Sequence, residues 1–243
     1  MMKRKLQPPI RSSSDSGFTI IESLMGIVVV AILLASIAPV LVMSTAIRVQ
    51  SRRIEKATQA ANTFVDGVKT GSIEAPSIKF ELDPPTKEVP RDLADSLIDT
   101  DKMPIPVSKT DPKVNLYFLK TDGTICLVSN EKCKTESTNP FEEFYIQAAQ
   151  IIVKDSNPND GYRLGLRVYR GDVDFSKTLK ASKDDIKTVE SPITGTLGNK
   201  QAPAVERTVD IGNRNTTFQA LCSRLGMVVI NKEDGTKEYQ PCQ

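Results

Sequence analysis

From Leu24 to Met43 the chain reads "LMGIVVVAILLASIAPVLVM" and carries no charged side chain. A helix rises about 1.5 Å per residue, so about 20 such residues cross the roughly 30 Å hydrocarbon core of a bilayer. The run is therefore a membrane helix or an export signal. "SIA" at Ser36 to Ala38 has the small residues of a signal-peptidase site, but Pro39 follows directly and apolar residues continue to Met43. A proline after the scissile bond is a poor substrate, which favours the anchor. Glu22 lies at the edge of the run, where an acid needs a reason: a carboxylate at the centre of a membrane helix costs about 2.5–3.5 kcal/mol on insertion scales.

Outside that run the composition is that of a globular domain, with 39% hydrophobic and 26% charged residues. The stretch beyond Gly71, about 170 residues, is long enough to bury a core of its own. A formal net charge of +2, with basic residues scattered among acids, gives no electrostatic footprint for nucleic acid. The four cysteines, Cys126, Cys133, Cys222 and Cys242, all follow the apolar run. An even count suits disulfides in an oxidising space, and proximity favours Cys126 with Cys133 and Cys222 with Cys242, with free buried thiols as the alternative. Without histidine and without close ligand spacing, they do not read as a zinc site.

Lys3, Arg4, Lys5 and Arg11 precede the polar run "SSSDSG", and the apolar segment opens at Phe18. With Gly17 before this boundary, Phe18 after it and Glu22 four residues on, "GFTIIESLMGIVVVAILL" resembles the leader and first helix of type IV pilins and type II secretion pseudopilins. The resemblance covers about fifty residues. It implies that prepilin peptidase cuts between Gly17 and Phe18 on the cytoplasmic side and methylates the Phe18 amine. It also implies that Glu22 meets the charged N-terminus of a neighbouring subunit, and that Pro39 marks a place where the helix can bend. Without the motif, Glu22 would be read as an acid near the interface that reaches water. The positive-inside rule gives a near tie, because Arg48, Arg52, Arg53 and Lys56 follow the span. The leader and the cysteines then orient the chain: single-pass in the inner membrane, with the C-terminal part extracytoplasmic.

Ile47, Ile54, Ala61 and Val68 recur every seven residues with Ala57 and Phe64 between them, while Arg52, Arg53, Lys56 and Gln59 take other faces. This predicts an amphipathic continuation of the helix, ending near Gly67 or Gly71 and packing on the protein's own head. The expected organisation is leader 1–17, transmembrane half-helix 18–43, amphipathic half-helix 44–71 and head 72–243. The fold class is α+β, pilin-like: a long N-terminal helix, then an antiparallel β-sheet head with long loops.

Within the head, residues 72–112 read as loop with short turns, one of them a helical turn at "RDLADSLID". "VNLYFLKTDGTICLVSN" reads as a hairpin turned at Asp122 and Gly123. "FEEFYIQAAQIIVKD" fits helix or strand; "GYRLGLRVYR" alternates Tyr162, Leu164, Leu166 and Val168 against Arg163, Gly165 and Arg167, as a strand does. Between them Asp155, Asn157, Asn159 and Asp160 offer oxygens for calcium, but Gly161 is one place late for an EF-hand and Leu166 stands where its glutamate belongs, so a plain turn is the simpler reading. Residues 191–206 read as loop, "TTFQALCSRLG" as a short helix ended by Gly226, and "MVVI" with "TKEYQPC" as a terminal hairpin about "EDG". A Cys222–Cys242 loop there would resemble the C-terminal disulfide loop of many pilin heads.

No nucleophile motif, Walker loop or dinucleotide fingerprint is present, and the absence of histidine removes the usual general base. The acid pairs Glu142–Glu143 and Asp184–Asp185 read as solvated charge. The resemblance thus implies a non-enzymatic minor pseudopilin without cofactor. Its partners would be prepilin peptidase, other pilins or pseudopilins, the inner-membrane assembly platform and the lipid bilayer. The alternative is a membrane-anchored enzyme or glycan-binding module with a pilin-type leader. Over the short stretch "GYRLGLRVYRGDV" the head also resembles cyanobacterial hormogonium pseudopilins of polysaccharide secretion and gliding.

Overall fold

The computed structural model describes residues 17, 19–89, 98, 100, 103–157, 160–183, 186–191 and 198–240. The chain divides into two compact units, Met1–Thr45 and Ala46–Gln243.

One helix, α1 (Ile20–Thr70), begins in the first unit and ends in the second. Its start follows from Thr19, whose hydroxyl accepts from the Glu22 amide at 3.3 Å while its carbonyl accepts from the Ser23 amide at 3.1 Å. Thr-x-x-Glu is the sequence of a capping box. The apolar side chains from Ile20 to Met43 are exposed, and the helix is long and apolar enough to cross a membrane. Pro39 sits inside it. The helix stops where Gly71 takes φ 76°, a left-handed conformation that glycine adopts without penalty.

In the second unit the later part of α1 covers one face of a six-stranded sheet. The strands are β1 (Lys79–Leu82), β2 (Asn115–Leu119), β3 (Ile125–Leu127), β4 (Phe144–Val153), β5 (Tyr162–Arg170) and β6 (Val205–Ile211). The order is β3-β2-β4-β5-β6, antiparallel throughout. β1 runs parallel to β4 and extends the same edge as β2, pairing with Gln150–Val153 where β2 pairs with Phe144–Ala148. Asn115 joins the two, its Oδ1 accepting from the Ile78 amide at 2.8 Å. This arrangement is the expected α+β layout.

Ala57, Ala60, Ala61, Phe64, Val65 and Val68 of the helix pack on Tyr117, Ile146, Ala148, Leu164, Leu166 and Val168. Small residues at 57, 60 and 61 allow close approach, and Phe64 meets Tyr117 edge-on at 4.7 Å. Ile47 and Ile54 of the expected stripe are half-buried. The opposite face is also covered, by Leu116, Phe118, Tyr145, Tyr169, Val173 and Leu179 in one cluster and Leu82, Ile98, Met103, Ala149 and Ile151 in another. Burial on both faces explains why "FYIQAAQIIV" lacks a clean alternation; the ambiguous segment is a strand.

Two loop expectations need correction. Residues 79–82 are a strand within the segment read as loop, and residues 205–211, whose beginning was read as loop, are the edge strand β6. Both are pinned by a stronger neighbour: β1 by β4, and β6 by β5 from Val205↔Val168 to Ile211↔Tyr162. The helical turn at "RDLADSLID" falls mostly outside the described residues. The two hairpins and the short helix are as expected. The β2–β3 hairpin turns at Asp122–Gly123, with Gly123 at φ 83°. Helix α2 (Phe218–Leu225) starts at Thr217, whose hydroxyl accepts from the Ala220 amide, and stops at Gly226. β7 (Val228–Asn231) and β8 (Lys237–Gln240) form the terminal hairpin.

Candidate functional site

The N-terminal residues singled out by sequence lie in the first unit. Gly17 is exposed and no atom lies within 4 Å of where a Cβ would be, so space alone does not demand glycine there. Phe18, the expected cleavage and methylation residue, is outside the described residues, as is the leader before Gly17. Glu22 is exposed in the first turn of α1, where the positive end of the helix favours an acid. Its position thus has a local explanation beside any intersubunit one: it is the third residue after the capping Thr19.

Three buried polar clusters organise the second unit, and sequence reasoning missed their central members. Arg167, assigned by alternation to the polar face of β5, is fully buried. Its Nε donates to Glu206 at 3.0 Å, its Nη1 to the Met103 carbonyl at 2.5 Å and the Gln147 Oε1 at 3.1 Å, and its Nη2 to the Ile98 carbonyl. Glu206 in turn accepts from the hydroxyl and amide of Ser182, and Gln147 donates to the Pro104 carbonyl at 2.6 Å. One guanidinium thereby holds Ile98, Met103 and, through Gln147, Pro104, and through Glu206, Ser182, to the sheet face opposite α1. Each member has partners, so the cluster is satisfied rather than poised for a ligand.

The second cluster lies three residues on, at the C-terminal end of β5. Gln50 donates to Glu190 at 2.7 Å; Arg170 lies 3.7 Å from the same carboxylate and makes a bidentate pair with Asp172 at 2.8 and 2.7 Å. Arg53, placed by the heptad reading on a polar face, is buried, with its guanidinium 4.4 Å from the centroid of the Phe141 ring. Burial pushes the Glu190 carboxyl up, against the opposing pull of the Gln50 hydrogen bond and the two guanidiniums. Burial and the nearby Arg170 charge lower the Arg53 guanidinium.

Glu143 corrects the reading of Glu142–Glu143 as solvated charge. Its carboxylate is buried and accepts from the Ser137 hydroxyl at 2.6 Å, the Thr138 and Asn139 amides at 2.8 and 3.1 Å, and the hydroxyls of Thr121 and Thr138 at 3.0 and 3.1 Å. Burial pushes the carboxyl up, but these donors outweigh it and hold it below the ordinary range. Only Glu142 is exposed, 3.8 Å from Lys56. Asp184 and Asp185 lie outside the described residues.

Cys126 and Cys133 form the expected disulfide, their Cα atoms 5.7 Å apart. Cys222 is also disulfide-bonded; Cys242 lies outside the described residues. Of the calcium candidates, Asp160 spends its carboxylate on the Asn157 amide at 2.9 Å, Asp155 takes φ 59°, and Asn159 is outside the described residues. Among the described residues no group of three His, Cys, Asp or Glu side chains is placed to hold a metal.

Compared with family models, curated proteins and solved structures, the chain matches none. The long apolar helix followed by an antiparallel sheet is compatible with a pilin-like architecture.

Proposed function

We propose that the chain is a minor pseudopilin or pilin-like subunit, a structural component of an envelope-spanning secretion filament. On this reading prepilin peptidase removes residues 1–17 and methylates Phe18. An inner-membrane platform then assembles the subunit with other pilins, its head extracytoplasmic. The observation that carries the reading is "GFTIIES" leading directly into an apolar segment that continues, as one helix, into the half that packs on an antiparallel sheet. The short resemblance over Gly161–Val173 directs the secretion role toward polysaccharide and gliding.

Assembly requires Glu22 to do more than cap its helix, and one substitution separates the two roles. Glutamine at the third helical position can still complete a capping box but carries no charge. Glu22→Gln is therefore expected to be inserted and processed normally and to lose photo-cross-linking to neighbouring subunits. Undiminished cross-linking would reduce Glu22 to a local capping residue.

A further inference from the structure

Beside the later part of α1 lies an open groove of about 300 Å³ lined by Val49, Arg52, Arg53, Lys56, Phe141 and Glu142. Its floor is apolar and in part uncovered: Phe141 is 49% and Val49 38% exposed. Its rim is cationic. Arg48, Arg52 and Lys56 are exposed at helical positions i, i+4 and i+8, which places them along one face. Among the described residues neither Arg48 nor Arg52 forms an ion pair. Among the described residues Lys56 pairs with Glu142 alone, at 3.8 Å with both side chains about half exposed, a contact worth little in water and readily exchanged. Arg53 lies over Phe141 and closes one end. The acids nearby are Glu142 on the rim, Glu55 on the helix and, beside Arg53, Asp172 and Glu190, both of which pair with Arg170; with Arg48, Arg52, Arg53, Lys56 and Arg170 the cations outnumber them.

An apolar floor beneath several cations suits a ligand with an anionic head and an apolar body. Chain reach limits where it could come from. Val49 is six residues past Met43 on the same helix, which at about 1.5 Å per residue is about 9 Å beyond the end of the charge-free run. The headgroup layer itself adds about 5–8 Å beyond the hydrocarbon on each side. We propose that this groove binds the phosphate headgroup of an anionic phospholipid from the bilayer the chain enters, with Arg52 and Lys56 on the phosphate and the acyl-chain end against Val49 and Phe141. The proposal rests on membrane anchoring and not on filament assembly, so a chain never cut by prepilin peptidase would still show it.

The test is native mass spectrometry of the full-length protein extracted in mild detergent from vesicles of equimolar phosphatidylglycerol and phosphatidylcholine. A cation at an anionic surface is worth about a fivefold factor in binding, so wild type is expected to retain phosphatidylglycerol about fivefold or more over phosphatidylcholine. Arg52→Gln with Lys56→Gln is expected to bring the ratio close to one. Lys113→Gln with Lys132→Gln, exposed cations elsewhere, is expected to leave it unchanged. Phe141→Ala, which alters no charge, is expected to lower the retention of both lipids and serves if the double variant fails to fold. No preference in wild type, an undiminished preference in the groove variant, or an equal loss in the distant variant would each overturn the proposal. Equilibrium dialysis against inorganic phosphate without lipid is expected to show no saturable binding; binding that the groove variant abolishes would reassign the groove to free phosphate.

Discussion

Replacing Arg167 by methionine keeps most of the side chain's volume and removes the guanidinium from a site with no solvent access. The loss leaves Glu206, whose side chain is 4% exposed, without its cation, and strips a donor each from the Met103 and Ile98 carbonyls and from Gln147. Breaking a buried ion pair from one side costs about 3–5 kcal/mol, because the abandoned charge stays desolvated. For a domain of this size the urea dependence of stability is about 2–3 kcal/mol per molar, so the midpoint should fall by about 1–2.5 M. The assay is urea unfolding of residues 46–243, followed by circular dichroism. The same argument predicts partial rescue: Glu206→Gln added to Arg167→Met removes the stranded charge and should recover about 2 kcal/mol, although alone it is destabilising. A loss below about 1 kcal/mol for Arg167→Met, or no rescue, would refute the claim that this guanidinium anchors the loops on that face.

Phe64→Ala opens a cavity between α1 and the sheet and should cost about 3–5 kcal/mol in the same unfolding assay. Reducing Cys126–Cys133 releases a seven-residue separation, for which chain entropy predicts a loss of about 2 kcal/mol, read by repeating the urea titration with reductant on a Cys222→Ser, Cys242→Ser background. Glu190 and Glu143 should give opposite pH signatures. The Glu190 carboxyl is raised in the folded state, so its contribution is fully present below the ordinary glutamate value of 4.5 and is lost as pH climbs through the raised one; Glu190→Gln should flatten that decline. The Glu143 carboxyl is lowered, so its contribution is present above 4.5 and is lost as pH falls through the depressed value; Glu143→Gln should remove that acid-side loss. Thermal melts across acid pH read both.

What could be read from sequence was what local chemistry decides. The charge-free run, the Asp122–Gly123 turn, the Thr217 and Gly226 ends of α2 and the terminal hairpin are written in residues adjacent to one another. What was missed is decided by distant partners. "KFEL" is too short to announce a strand and becomes one because β4 offers it an edge; β6 looks polar because Glu206, Arg207 and Asp210 answer Arg167, Asn62 and Arg224. Periodicity put Arg53 and Arg167 on solvent faces because it assumes that one face is wet, and here loops and rings cover both. Glu143 could have been suspected from "STNPFEE", since serine, threonine and asparagine just before an acid are natural donors to it. Nothing in the sequence marked Glu190, whose partners Gln50 and Arg170 come from α1 and β5.

The central claim is that the chain is a prepilin peptidase substrate, and N-terminal sequencing with intact mass tests it most directly. The protein is extracted from membranes of cells with and without the peptidase. The account predicts a chain of residues 18–243 beginning at N-methylated Phe18 when the peptidase is present, and the chain with its leader intact when it is absent. An identical, unprocessed N-terminus in both strains would contradict it, leaving "GFTIIES" as the opening of a plain membrane anchor.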